Sequence, residues 1–224
     1  MITNFWSEQT LPYSWYSKNT TVQWSGSDNI TNCNKDWDIP ISYQFNSQGF
    51  RTHDLTSYKG KEVNVALGCS HTLGIGLPTE MTWPSQIEKQ TGIPTLNLGL
   101  GEGSSDTVAR ILTNISGLFN LATVYILWPV KHRFEYYSKD KIYPILPGSS
   151  KLEYVWYMEE QNSSERLNKN KSIVYHLQKL YKFDLKEIHI GDPWPVPGDL
   201  ARDQMHNGPK SNQNLANLFL TRLL

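Results

Sequence analysis

Four short apolar runs, each followed by a stretch with helical spacing, constrain this chain more than any other feature. The runs cover 63–67, 94–98, 122–128 and 183–190. The helical stretches are 82–92, one beginning at Ser104 or Ser105, then 164–181 and 211–224. Thr82 is placed to cap the first of these, Pro84 suits an early helical position, and Gly92 suits the stop. Val108, Ile111, Leu112, Ile115 and Leu118 share one face of the second. Ile173, Val174, Leu177, Leu180 and Tyr181 do so in the third, and Leu215, Leu218, Phe219 and Leu223 in the fourth. Strands alternating with helices predict an α/β fold, a parallel sheet with helices on both faces.

The first run ends at Gly68, and Ser70 follows two residues later. That puts a hydroxyl at the carboxyl end of a central strand, where open α/β sheets bind their ligands. Glycine lets the backbone turn there and lets another group approach closely. Ser70 is the candidate nucleophile, and 68–78 reads as a Gly-rich loop.

An unassisted serine hydroxyl is a poor nucleophile. It needs a base within hydrogen-bond reach and a third group to hold the base. Asp203-Gln-Met-His206 follows the last strand and a Pro-rich loop, and it precedes the last helix. In a parallel sheet such loops gather on the edge that also holds Ser70. His206 is therefore the candidate base and Asp203 its orienter. A helix-capping role is the bland alternative for His206. Asn97-Leu-Gly-Leu-Gly-Glu-Gly-Ser-Ser105 leaves the second strand and enters a helix. Backbone N–H groups at such a turn can bind a developing oxyanion. Gly99, Gly101 and Gly103 also resemble part of a dinucleotide fingerprint. Ser104 stands where the last glycine would fall, and no acidic residue follows at the ribose-binding distance.

Two flanking regions follow other rules. Residues 1–57 are rich in Asn, Ser, Thr, Trp and Tyr without a helical period. They read as an irregular extension packed on a main domain at 58–224. Within it, 38–45 is a candidate edge strand, and Gly49 is expected at positive φ in the turn that follows. Residues 129–164 read as mostly loop, with one short helix near 151–160.

Lys plus Arg and Asp plus Glu balance at 21 each, so no charge excess argues for nucleic acid or an anionic membrane. The two cysteines, Cys33 and Cys69, show no metal-ligand spacing and are expected as free thiols. The first residues lack a basic start and an apolar core, so no signal peptide is expected. No apolar run reaches the length of a membrane span. A soluble protein, cytoplasmic by default, is the expectation. Nothing calls for a metal or a cofactor. The eight Trp and twelve Tyr serve either as core or as the lining of a sugar cleft.

Gly68-Cys-Ser-His-Thr-Leu-Gly74 resembles the first block of the SGNH (GDSL-like) hydrolases, Gly-Asp-Ser-x-Thr. Asn97–Ser105 is similar to their second block and Asp203-x-x-His206 to their fifth. Tyr43–Arg51 is similar to a segment often found ahead of the first. The blocks occur in family order over 43–220, and the G-x-S-x-G elbow of the larger α/β-hydrolases is absent.

The resemblance implies a three-layer α/β/α domain with a flavodoxin-like sheet. It also implies an ester hydrolase with Ser70 as nucleophile, His206 as base and Asp203 as orienter. The Ser70 N–H and one from Gly101, Glu102 or Gly103, depending on register, would form the oxyanion hole. Cys69 replaces the family Asp, and its thiol is a minor alternative nucleophile. The third block departs further. The family places Gly-x-Asn-Asp there, with the Asn as an oxyanion donor. Here Trp128-Pro-Val-Lys-His-Arg133 has no Asn. A lost donor can cost on the order of 10²–10³ in rate. His132 and Arg133 are candidates to contact substrate in its place. The expected ligand is an ester-bearing small molecule or glycan, with a short acyl group such as acetyl. A non-catalytic glycan-binding module and an acyltransferase are the alternatives.

Overall fold

The computed structural model describes residues 14, 16–23, 41–138, 141–146 and 160–221. In chain order the strands are β1 (Thr21–Val22), β2 (Tyr43–Gln44), β3 (Glu62–Leu67), β4 (Thr95–Asn97), β5 (Asn120–Trp128), β6 (Phe134–Ser138), β7 (Lys141–Ile145) and β8 (Asp184–His189). The helices are α1 (Ser70–Leu73), α2 (Trp83–Thr91), α3 (Ser105–Ile115), α4 (Glu160–Tyr181) and α5 (Pro209–Thr221). β4, β3, β5 and β8 form the central sheet in that order, every pair parallel. Renumbered within the sheet this is 2-1-3-4, the start of the flavodoxin-like order, with its switch point between β3 and β5.

Both faces of the sheet are covered, which is why its strands read as continuous apolar runs. Successive side chains in a strand point to opposite faces. Val63, Val65 and Leu67 of β3, with Val124, Ile126 and Trp128 of β5, join Val108, Ile111, Leu112 and Ile115 of α3 and Val174 and Leu177 of α4. Ala66, Tyr125 and Leu127 turn the other way, against Trp83 and Ile87 of α2 and Leu215, Ala216 and Phe219 of α5. The expected three-layer α/β/α arrangement is what the chain adopts. Burying each large apolar side chain contributes about 1.5–3 kcal/mol.

Local chemistry sets the helix ends. Ser104 caps α3 in a capping box with Thr107. α2 stops at Gly92, which is left-handed with φ 70°. Thr82 holds the N-cap position of α2 without a side-chain cap bond. Asn212 Oδ1 from α5 instead accepts the Trp83 N–H at 3.0 Å. Only Val174 and Leu177 of the residues expected on the inner face of α4 are buried; Ile173, Leu180 and Tyr181 are exposed. The inner row runs through Leu167, Asn170, Val174 and Leu177 instead. Asn170 is buried because its amide donates to Ser105 and Asp106 of α3. A polar residue on the inner row conceals the true face from a hydrophobic count.

The 129–164 stretch departs most from expectation. It contains an antiparallel hairpin, β6–β7, rather than only loop. Glu135 of β6 accepts two hydrogen bonds from Arg110 of α3, each 2.8 Å. This buried pair ties the hairpin to the domain by charge rather than by apolar periodicity. The helix expected near 151–160 lies outside the described residues, apart from Glu160 in α4.

In the N-terminal segment, Gly49 has φ 82° as expected, and the 38–45 strand is reduced to β2 paired with β1. Residues 38–40 of that stretch lie outside the described set. Phe50 and Leu55 belong to the same apolar cluster as β3 and α3.

Candidate active site

Strand β3 delivers Ser70. Beyond Leu67 the chain turns at Gly68, where a Cβ would come within 2.2 Å of Thr72 Oγ1 and 2.7 Å of Leu127 O. Only glycine lets the turn sit this close to β5. One helical turn then begins, so 68–78 is not all loop. Ser70 is the first residue of α1 and 7% exposed. Its N–H stands where a helix leaves donors without intrahelical partners. Cys69 is buried behind it as a free thiol.

His206 and Asp203 arrive on the loop before α5. An isolated bridge between Leu200 and Asn207 closes this loop. Asp203 Oδ1 accepts the N–H groups of Met205 and His206 at 3.1 and 3.0 Å. Its other oxygen lies 2.5 Å from His206 Nδ1, and His206 Nε2 lies 2.8 Å from Ser70 Oγ. The two parts of this chain are 136 residues apart in sequence. A carboxylate at Nδ1 places the ring proton there, which leaves Nε2 free to accept from the Ser70 hydroxyl. Burial alone would raise the Asp203 pKa. Hydrogen bonds from the His206 ring and backbone, the charge of that ring and the Met205 N–H outweigh it and hold the carboxyl below its ordinary value. It is a carboxylate at neutral pH. This arrangement can remove a proton from Ser70.

The second loop lies against the first. Asn97 Nδ2 donates to Thr72 O of α1 at 2.8 Å, and Asn97 Oδ1 accepts the Gly99 N–H at 3.1 Å. The three positions expected for an oxyanion donor differ in use. The Gly101 N–H donates to the Tyr16 hydroxyl at 3.1 Å. The Gly103 N–H donates to Leu100 O at 3.0 Å. Glu102 sits between them with φ 64°, its N–H making no backbone or side-chain bond among the described residues.

Of the two third-block candidates, His132 is turned to α4, where Nδ1 lies 3.1 Å from Ser163 Oγ. Arg133 has its Nη1 buried without a hydrogen-bond partner among the described residues.

One site neighbour carries no distinguishing signal in the sequence. His71, directly after Ser70, packs its ring 4.8 Å from that of His206 and 6.0 Å from Trp194. Its Nδ1 lies 3.3 Å from Asn207 Nδ2. Burial, and then the charges of His206 and Arg133, push its pKa down to about 3. His71 is thus a neutral ring at the site. Its position beside Ser70 was the available signal, but nothing in its spacing distinguished it from a loop histidine.

The N-terminal segment braces the same loops. Arg51 is buried and donates to three carbonyls at the end of α1 and just beyond: Leu73 (3.2 Å), Gly74 (2.7 Å) and Leu77 (2.7 Å). The Tyr43 hydroxyl accepts the Gly76 N–H at 2.7 Å, and Gly76 O accepts the Arg202 N–H at 3.0 Å. Among the described residues no group of three or more His, Cys, Asp or Glu is arranged to hold a metal ion. No described helix is long and apolar enough to cross a membrane.

No family model matches the chain, and no curated protein matches it in sequence. Among solved structures it is similar to lipolytic proteins of the G-D-S-L type. One is from Desulfitobacterium hafniense DCB-2, at 15% identity over 73% of this chain and 99% of that one, with TM-score 0.37. Another, from Veillonella parvula DSM 2008, has 13% identity over 72% of this chain and all of that one, with TM-score 0.37. It is likewise similar to the psychrotrophic esterase EstA from Pseudoalteromonas sp., described in a form inhibited by monoethylphosphonate. There the identity is 15% over 70% of this chain and 93% of that one, with TM-score 0.38.

Proposed function

We propose that the chain is a serine esterase that works through an acyl-enzyme intermediate. One observation carries this reading: the unbroken hydrogen-bonded line from Ser70 Oγ through His206 to Asp203, at 2.8 and 2.5 Å. As Ser70 Oγ attacks an ester carbonyl, His206 Nε2 takes its proton. Asp203 stabilises the imidazolium that forms. The same ring then returns the proton to the departing alcohol. A water, deprotonated by His206, releases the acyl group in the second half of the cycle.

Charge develops on the carbonyl oxygen in both halves. The Ser70 N–H and the Glu102 N–H are the proposed donors, since Gly101 and Gly103 spend theirs on Tyr16 and Leu100. At Glu102 the backbone acts, so the side chain can be other than glycine. Arg133 is the proposed substrate contact of the third loop. A short acyl group on a carbohydrate alcohol is the proposed substrate class. Its support is the exposed pair Tyr136 and Tyr143 on the β6–β7 hairpin, whose rings are 6.5 Å apart and offer flat apolar faces.

The test is hydrolysis of p-nitrophenyl acetate together with labelling by a fluorescent alkylphosphonate. Wild type should turn over the ester and be labelled at Ser70. Ser70→Ala should lose both, with a fall in kcat of about 10⁴–10⁶-fold. Activity that survives the substitution would remove Ser70 from the role, and a wild type that is neither active nor labelled would leave a binding module. Added alcohol acceptors that divert the acyl group from water would make it a transferase.

A further inference from the structure

Arg133, the proposed substrate contact of the third loop, takes no part in the proton transfers of Ser70, His206 and Asp203. The loop carrying it leaves the carboxyl end of β5, the immediate neighbour of β3. Leu127 O, one residue before that end, already lies against Gly68 in the nucleophile turn. Arg133 therefore belongs to the same edge of the sheet as Ser70. Its guanidinium is near enough to His71 for its charge to lower the basicity of that ring.

Nη1 of Arg133 is buried and has no hydrogen-bond partner among the described residues. The described residues also offer Arg133 no carboxylate in an ion pair, while Arg110 has Glu135 and Arg166 has Asp106. Taking a guanidinium nitrogen out of water without a partner costs free energy. An anion placed there would recover that cost, because charge-assisted bonds from a planar guanidinium to a carboxylate are short and strong. Two neighbours do not oppose an incoming anion: His71 is neutral beside it, and Asp203 has both carboxylate oxygens occupied by His206 and its loop.

We infer that Arg133 selects esters bearing an anionic group, a carboxylate on either the acyl or the alcohol part, by pairing with that group beside the reacting carbonyl. This rests on the esterase reading and narrows it to acidic esters. An oxyanion role for Arg133 would be different, since every ester develops the same charge in the transition state and all would depend on Arg133 equally.

Three p-nitrophenyl or phenyl esters separate these cases. p-Nitrophenyl acetate is neutral, mono-p-nitrophenyl succinate carries its carboxylate on the acyl part, and 4-acetoxybenzoate carries it on the alcohol part. Phenyl acetate serves as the neutral reference for the last. Wild type should favour one carboxylated ester over its neutral reference by about 10–100-fold in kcat/KM, the range of one charged hydrogen bond. The favoured ester shows which part carries the anion. Arg133→Met should collapse that ratio towards one, and Arg133→Lys should keep part of it. The inference is overturned if wild type shows no preference, or if Arg133→Met slows neutral and carboxylated esters alike. The wild-type ratio needs no variant to fold. If wild type hydrolyses none of the esters, the esterase reading itself fails and this inference falls with it.

Discussion

Strand β3 and the N-terminal segment both hold Ser70 in place, and they do so by different physics. β3 is buried on both faces, with Val63, Val65, Ala66 and Leu67 wholly inaccessible. Its support is apolar contact, which is strong but non-directional. The N-terminal segment packs Ile41, Tyr43 and Phe45 against Leu73 of α1, and it adds directional polar bonds to the loops of the site. Arg51 gathers the carbonyls of Leu73, Gly74 and Leu77, the Tyr43 hydroxyl receives the Gly76 N–H, and the Tyr16 hydroxyl receives that of Gly101. Burial decides where the Ser70 turn lies. Directional bonds decide how its hydroxyl is aimed, and Asp203 does the same for His206. The difference teaches that location and orientation are separately encoded, and that they should fail separately.

The largest expected effect comes from removing a directional bond that carries no packing. Asp203→Asn should lower kcat/KM by about 10³–10⁴-fold through the wrong ring tautomer. Its thermal unfolding should stay close to wild type. A matching loss of folded protein would mean that the loop, not the tautomer, was the target.

Next in size is a contrast between two buried side chains. Leu67→Ala should cost about 2–5 kcal/mol in urea denaturation, the usual range for a core leucine. The kcat of the protein that remains folded should be nearly unchanged. Arg51→Met should cost about 2–4 kcal/mol, since the Leu73 and Leu77 carbonyls lose a buried donor. It should also lower kcat, because α1 carries Ser70, the proposed nucleophile. If Leu67→Ala damages kcat as much as Arg51→Met does, the division between locating and orienting is wrong.

The last effect is a pH dependence. The His71 pKa is down to about 3 in the folded protein, against an ordinary 6.5. The unfolded chain therefore binds the extra proton between those values. Stability from this group is complete above pH 6.5 and is lost as the pH falls towards 3. Asp203 is lowered as well, so its contribution persists down to its ordinary value of 3.8 and is lost below it. His71→Gln should flatten the stability profile between pH 6.5 and 4, measured by urea titration at each pH. A variant with the wild-type slope would show that His71 is not held neutral.

The parallel sheet was legible because it depends on burial, and burial writes itself as runs and periods. The hairpin at 134–145 was not, because polar contacts help anchor it, the Arg110–Glu135 ion pair and the Glu135 N–H to Asp106, between residues 25 and 29 positions apart. The inner face of α4 departs from its apolar spacing for a related reason. Asn170 occupies a buried position through bonds to α3, and no apolar count rewards an asparagine.

The candidate site divides in the same way. Ser70, His206 and Asp203 stood out because residue type, order and loop position all pointed to them. Which of Gly101, Glu102 and Gly103 keeps a free N–H could not be read, because Tyr16 and Leu100 make that choice. His71 stayed hidden because its neutrality comes from burial and neighbouring charge.

The amino-acid order alone determined that this chain alternates strand and helix and that its chemistry gathers at one sheet edge, since local spacing and burial are properties of short stretches. Only the tertiary structure decided which side chains meet at that edge: the 2.8 Å contact between Ser70 and His206, the Arg51 brace and the Arg133 nitrogen that has no partner among the described residues. Hydrogen bonds and charge pairs act over a few ångströms, between residues whose separation along the chain carries no trace of the contact.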